Sequence, residues 1–203
     1  MSSRDDILAS IRANLPRVDR PLPRVPLFDD DPPASLLSAF KDSLHRMGGV
    51  FLDPPDSGDL LTPVRAKIAD AKIVCSTVPE IAGNRDIAGL GAPRDLADVD
   101  YAIVRASFAV AETGSVLLSD ADLCVNGVAY LAQHLIVLLD PADIVVNLHH
   151  AYRRPEFRDR HYVSFHTGPS ATADIEGGLI HGAQGVRSLS VLPVARAAGS
   201  RPD

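Results

Sequence analysis

A chain of 203 residues with 46% hydrophobic and 23% charged residues has the makeup of one substantial globular domain, not of a disordered or fibrous protein. Its net charge of −6 lacks the clustered basic excess of a nucleic-acid footprint, and no run approaches the roughly 18 apolar residues of a membrane span. Met1-Ser-Ser-Arg-Asp-Asp6 lacks the apolar region of a secretory signal, so a cytoplasmic location is expected.

Residues 4–14 place Ile7, Leu8 and Ile11, with Leu15 following, at helical spacing, and Asp5 and Asp6 suit the dipole of the first turn. Pro16, Pro21, Pro23, Pro26, Pro32 and Pro33 then forbid a helix or ladder. Residues 1–33 therefore read as a helix with a Pro-rich extended arm, which docks on a partner chain or on its own globule, and residues 34–203 as the folded domain. Leu36, Leu37, Phe40, Leu44 and Met47 predict a helix over 34–47 that Gly48-Gly49 ends. A strand at 50–52, a helix at 60–69 and strands at 72–75 and 101–104 follow. Residues 108–111 and 116–118 read as an antiparallel pair joined through a turn at Gly114. The run 134–139 reads as a buried strand, 141–153 as a helix opened by Pro141, and 162–165 and 189–194 as the last strands. The alternation predicts an α/β fold, a largely parallel sheet flanked by helices with a helical N-terminal region.

Two polar loops carry most of the chemistry. In Ala-Glu-Thr-Gly-Ser at 111–115, Glu112 ends an apolar strand where a cleft commonly opens, and its carboxylate could serve as base, nucleophile or acceptor. Equally, it could accept N–H groups within its own turn, with Thr113 and Ser115 serving either role. The second loop, 167–178, combines turn formers, hydroxyls and acids; Ser170 or Thr172 could cap a short helix whose free N–H groups attract an anion. Asp174 and Glu176 are two apart, so on a helix they would face different ways, and the plain alternative is that they complement its dipole.

Gly177, Gly178, Gly182 and Gly185 match neither a P-loop nor a dinucleotide fingerprint; His181 and Gln184 in the same stretch could face the site. His149, His150, Arg153, Arg154 and His161 read as the solvated, dipole-favoured end of a helix, and the histidines lack a helical metal spacing. Cys75 and Cys124, the only cysteines, supply no motif for zinc or an iron–sulfur centre, so any such centre would sit on another subunit. No Gly-x-Ser-x-Gly elbow is present.

Ala-Glu-Thr-Gly-Ser at 111–115, Gly-Pro-Ser-x-Thr-Ala-Asp-Ile-Glu at 168–176 and Gly-x-x-Gly at 182–185 resemble the LUD domain family, and within it the lactate utilization protein C group. The likeness is strongest over 102–194. It implies a domain similar to the sugar-phosphate isomerase and CoA-transferase superfamily, working beside two iron–sulfur subunits that oxidise L-lactate to pyruvate, with no cofactor on this chain. It marks Glu112, Thr113, Gly114, Gly168, Pro169, Ser170, Thr172, Asp174 and Glu176, with His134 before the apolar strand. The chain departs from the pattern at Ala171, where the family usually has Arg, and at Gly182-Ala-Gln-Gly-Val186, where it usually has Gly-Val-His-Gly-Pro. Those changes remove an anion clamp and an acid–base group.

Three functions follow as expectations. The first is an accessory subunit of an iron–sulfur lactate-oxidation system, with Glu112 as candidate catalytic group and Thr113, Gly114, Ser115, His134, Gly168, Pro169, Ser170, Thr172, Asp174, Glu176, Gly182, Gln184 and Gly185 binding a small anion. The second is a stand-alone acyl- or CoA-transferase-like or sugar-phosphate-binding enzyme. The third is a scaffold without a ligand.

Overall fold

The computed structural model describes residues 3–16, 21–90, 92–173 and 177–196. In chain order these form α1 (Ser3–Asn14), α2 (Leu36–Arg46), β1 (Val50–Phe51), α3 (Thr62–Ile68), β2 (Val74–Ser76), β3 (Tyr101–Arg105), β4 (Phe108–Val110), β5 (Ser115–Ser119), α4 (Asp120–Leu123), α5 (Val128–Leu131), β6 (His134–Leu139), β7 (Ile144–Val145), α6 (Leu148–Ala151), α7 (Glu156–Asp159), β8 (Val163–His166), β9 (Ala171–Thr172), β10 (Ile180–His181) and β11 (Ser188–Pro193).

The apolar run of β6 is the centre of a five-stranded parallel sheet of order β1-β11-β6-β3-β2. A parallel sheet needs cover on both faces, which is why its strands are near-continuously apolar. Alternate residues oblige: Ala102, Val104, Leu135, Val137 and Val191 join one core with Phe40 and Leu44 of α2. Ile103, Ile136, Leu138 and Leu192 join another with Val64 of α3. The open edge at β2 is closed by Asn84, whose Oδ1 accepts from Val74 N at 2.8 Å, whose Nδ2 donates to the Lys72 carbonyl at 2.8 Å and whose backbone N–H donates to the Val74 carbonyl at 2.9 Å.

A second, mixed sheet runs β7-β4-β5-β8. Its β4–β5 hairpin is antiparallel, as the turn chemistry predicts. One face presents Ala109, Ala111, Val116 and Leu118 to the first core, and the other packs Phe108, Val110 and Leu117 against Ala151 and Phe157.

Two expected elements are replaced. The helix predicted over 141–153 is instead a 3-10 turn at Pro141–Asp143, the strand β7 and the short helix α6. Ile144 and Val145 are β-branched and gain more by pairing with Ala109 and Val110 than by continuing a helix. Asn147 then starts the helix anew, its Oδ1 accepting from His150 N at 3.0 Å. The helix expected to be capped by Ser170 or Thr172 is a hairpin: β9 pairs antiparallel with β10, Thr172 opposite Ile180. Asp174 and Glu176 lie outside the described residues.

The Pro-rich arm docks on its own domain. Asn147 Nδ2 donates to the carbonyls of Leu27 at 2.7 Å and Phe28 at 3.1 Å, His150 Nε2 meets Asp29 Oδ2 at 3.0 Å, and Phe28 lies on the His149 ring at 4.7 Å between centroids. The two histidines expected at a solvated helix end thus hold the arm. Ile7 and Ile11 of α1, and Leu15 just after it, stay exposed.

Candidate functional site

Both polar loops converge on the C-terminal half of α2, and each does so through a glycine. Gly114, with φ +68°, turns the β4–β5 hairpin so tightly onto the helix that a Cβ would stand 2.3 Å from Leu44 N. Gly168, also at φ +68°, would place a Cβ 2.0 Å from the Met47 carbonyl oxygen. The loops also touch directly: Ser115 Oγ hydrogen-bonds Thr167 Oγ1 at 2.6 Å and Thr113 Oγ1 at 2.7 Å, a chain of three hydroxyls.

Beside this junction lies a hollow of two lobes. One, about 640 Å³, is lined by residues including Phe28, Asp42, Asn147 and His149; the other, about 500 Å³, by residues including Met47, Thr113, Ser115, Leu148, Tyr152, Phe165 and Thr167. Ser43, Arg46 and Glu112 line both and form the waist. The buried Ser43 ties the waist together, donating its hydroxyl to the Glu112 carbonyl at 3.1 Å and accepting from Arg46 Nη2 at 2.7 Å.

Glu112 Oε2 accepts from Leu148 N at 3.0 Å, so the carboxylate reaches out of its own turn to the first residue of α6. Arg46 bonds Ser43 but makes no ion pair among the described residues, which leaves its other N–H groups able to meet an anion in the hollow that Glu112 also lines. The hollow can therefore bind a small acid through Arg46 and offer Glu112 as acceptor for a nearby hydroxyl.

The LUD domain model matches residues 66–194, well over half of the chain. The chain belongs to the LUD domain family. A solved structure of a DUF162 family protein from Deinococcus radiodurans is similar in fold, with a TM-score of 0.59 at 17% identity over 83% of this chain and 98% of that one. No curated protein matches the chain. The family is associated with lactate utilization.

Within this LUD domain the predicted site residues divide into two groups. Glu112, Thr113 and Ser115 line the hollow, and Gly114 sets their turn. Gly168 and Pro169 are buried beneath the end of α2, and only Thr167 of the second loop reaches the hollow. Ser170 is held in the hairpin by Val186 and Gly182, its N–H donating to the Val186 carbonyl and its carbonyl accepting from Gly182 N. Thr172, Gln184 and Gly185 stand on that same hairpin and the return to β11, away from the hollow's lining.

His134 is likewise apart, at the start of β6, where Nδ1 hydrogen-bonds Ser188 Oγ at 2.8 Å and the ring stacks on Tyr101 at 4.8 Å. Burial, with help from Arg187 and Lys67, lowers its pKa. Among the described residues no cluster of His, Cys, Asp and Glu is placed to hold a metal, and no helix is long and apolar enough to cross a membrane.

Ser43, Arg46, Met47, Leu148, Tyr152 and Phe165 line the second lobe and are passed over as site residues by sequence reasoning. Arg46 in the last turn of an amphipathic helix carries the same signal as any dipole-satisfying cation, so nothing local distinguishes it.

Proposed function

We propose that this LUD domain is a subunit of an iron–sulfur-dependent system that oxidises L-lactate to pyruvate, of the lactate utilization protein C type, and that the hollow at Arg46 and Glu112 is its small-molecule site. The observation that carries the reading is one hollow lined by Glu112, Thr113 and Ser115 of the first family motif, by Thr167 at the head of the second loop, and by Arg46. Lactate carries a carboxylate for Arg46 and, one carbon away, a hydroxyl for which Glu112 offers a hydrogen-bond acceptor. Oxidation of lactate to pyruvate releases two protons and two electrons; the protons go to solvent and the electrons to iron–sulfur partner subunits, which supply the clusters for which this chain has no cysteine motif.

The test is genetic and biochemical together. Tagged protein, expressed from its own genome during growth on L-lactate, should bring down iron–sulfur proteins, and its deletion should abolish that growth. Complementation with Glu112→Gln, whose amide still accepts the Leu148 N–H, should give folded protein and fail to restore growth. Unimpaired growth of the deletion strain, with no iron–sulfur protein captured, would refute the assignment.

A further inference from the structure

The hollow is far larger than a three-carbon acid. Its two lobes, about 640 and 500 Å³, each fall within the range of roughly 300–1,000 Å³ in which drug-sized ligands are held. The lobes also differ in character. On one side of the Arg46–Glu112 waist stand Asp42, Asn147 and His149; on the other, Met47, Leu148, Tyr152 and Phe165 make an apolar wall with the hydroxyl chain at its edge. Met47 and Tyr152 are 50% and 62% exposed, so the wall spends apolar surface on solvent that a ligand would cover. The wall is firmly backed, because Tyr152 packs on Phe157 at 4.8 Å and meets Phe165 edge-on at 6.1 Å.

We infer that the ligand is a 2-hydroxy or 2-oxo monocarboxylate bearing an apolar substituent of several carbons. Its carboxylate pairs with Arg46, its 2-oxygen lies toward Glu112, and its substituent fills the lobe walled by Met47, Leu148, Tyr152 and Phe165. A substituent of that kind gains about 0.8 kcal/mol for each methylene taken out of water, close to fourfold in affinity, whereas lactate leaves the lobe wet. The inference rests on the reading of the hollow as the small-molecule site and names the class of acid that site prefers.

Calorimetric titration of the full chain with lactate, 2-hydroxybutanoate, 2-hydroxyhexanoate, 2-hydroxyoctanoate and 3-phenyllactate tests it. Affinity should rise about fourfold per methylene over the first several carbons, with phenyllactate far above lactate. Arg46→Gln should weaken every member at least tenfold. Tyr152→Ala, which removes part of the apolar wall, should flatten the dependence on chain length. Binding that depends on Arg46 but not on chain length would overturn the inference and leave the hollow as the site. An absence of binding by any acid would overturn both, while the subunit role stays decided by growth and co-purification.

Discussion

At the scale of single residues, the site depends on two glycines that touch no ligand. Gly114→Ala must adopt the left-handed region and drive its methyl into the backbone of α2, so a loss of about 3 kcal/mol or more is expected in urea unfolding. Gly58, at φ +94° with open space around it, supplies the control: Gly58→Ala carries the conformational cost alone, about 1 kcal/mol. Equal losses at the two positions would show that the hairpin does not press on the helix as described.

His166 makes a second residue-scale prediction. It is buried, its Nε2 finds no hydrogen-bond partner among the described residues, and desolvation lowers its pKa from 6.5 to about 4. Above pH 6.5 neither state binds the proton; as pH falls from 6.5 toward 4 the unfolded chain binds one that the folded chain refuses, so stability declines across that window by about 3 kcal/mol in all. His166→Phe should remove this part of the acid sensitivity, measured as melting temperature against pH; an unchanged profile would place the sensitivity elsewhere.

At the scale of elements, α2 does more than its amphipathic pattern states. Ser35 caps it, Phe40 and Leu44 bury one face, and the last turn supplies Ser43, Arg46 and Met47 to the hollow and a floor for both loops. The arm is the other element whose role is positional. Removing residues 1–33 deletes the two carbonyls that Asn147 binds and the Asp29 partner of His150, at a cost of about 1–2 kcal/mol. The remaining chain should still unfold cooperatively, because no described residue of the arm belongs to the three buried cores. A truncated chain that fails to fold would contradict that division.

At the scale of the whole molecule, a parallel sheet covered on both faces leaves its edges as the vulnerable places. Asn84 closes one edge by standing in for a neighbouring strand. Asn84→Ala strips partners from Val74 N and the Lys72 carbonyl, and should cost about 2 kcal/mol while promoting association through β2. Light scattering against concentration checks this; a variant as monodisperse as its parent would mean that the edge is protected some other way.

How much of this was legible beforehand follows from the range over which each signal acts. The apolar runs of β3, β6 and β11, the helical stripe of α2 and the turn at Gly114 are local patterns, and periodicity with turn chemistry suffices to read them. The two motif loops were legible as polar interruptions between apolar segments, and their meeting at Ser115 and Thr167 joins residues far apart in the chain. Local pattern failed where a neighbour outweighed it: β4 drew Ile144 and Val145 out of a helix, and β10 drew residues after Gly168 into a hairpin. Composition and periodicity alone determined that this chain builds an α/β core with two polar loops. Only the tertiary structure decided that Arg46 and Glu112 line one hollow, because that shared lining comes from a hairpin packed on a helix and leaves no trace in the spacing of either segment.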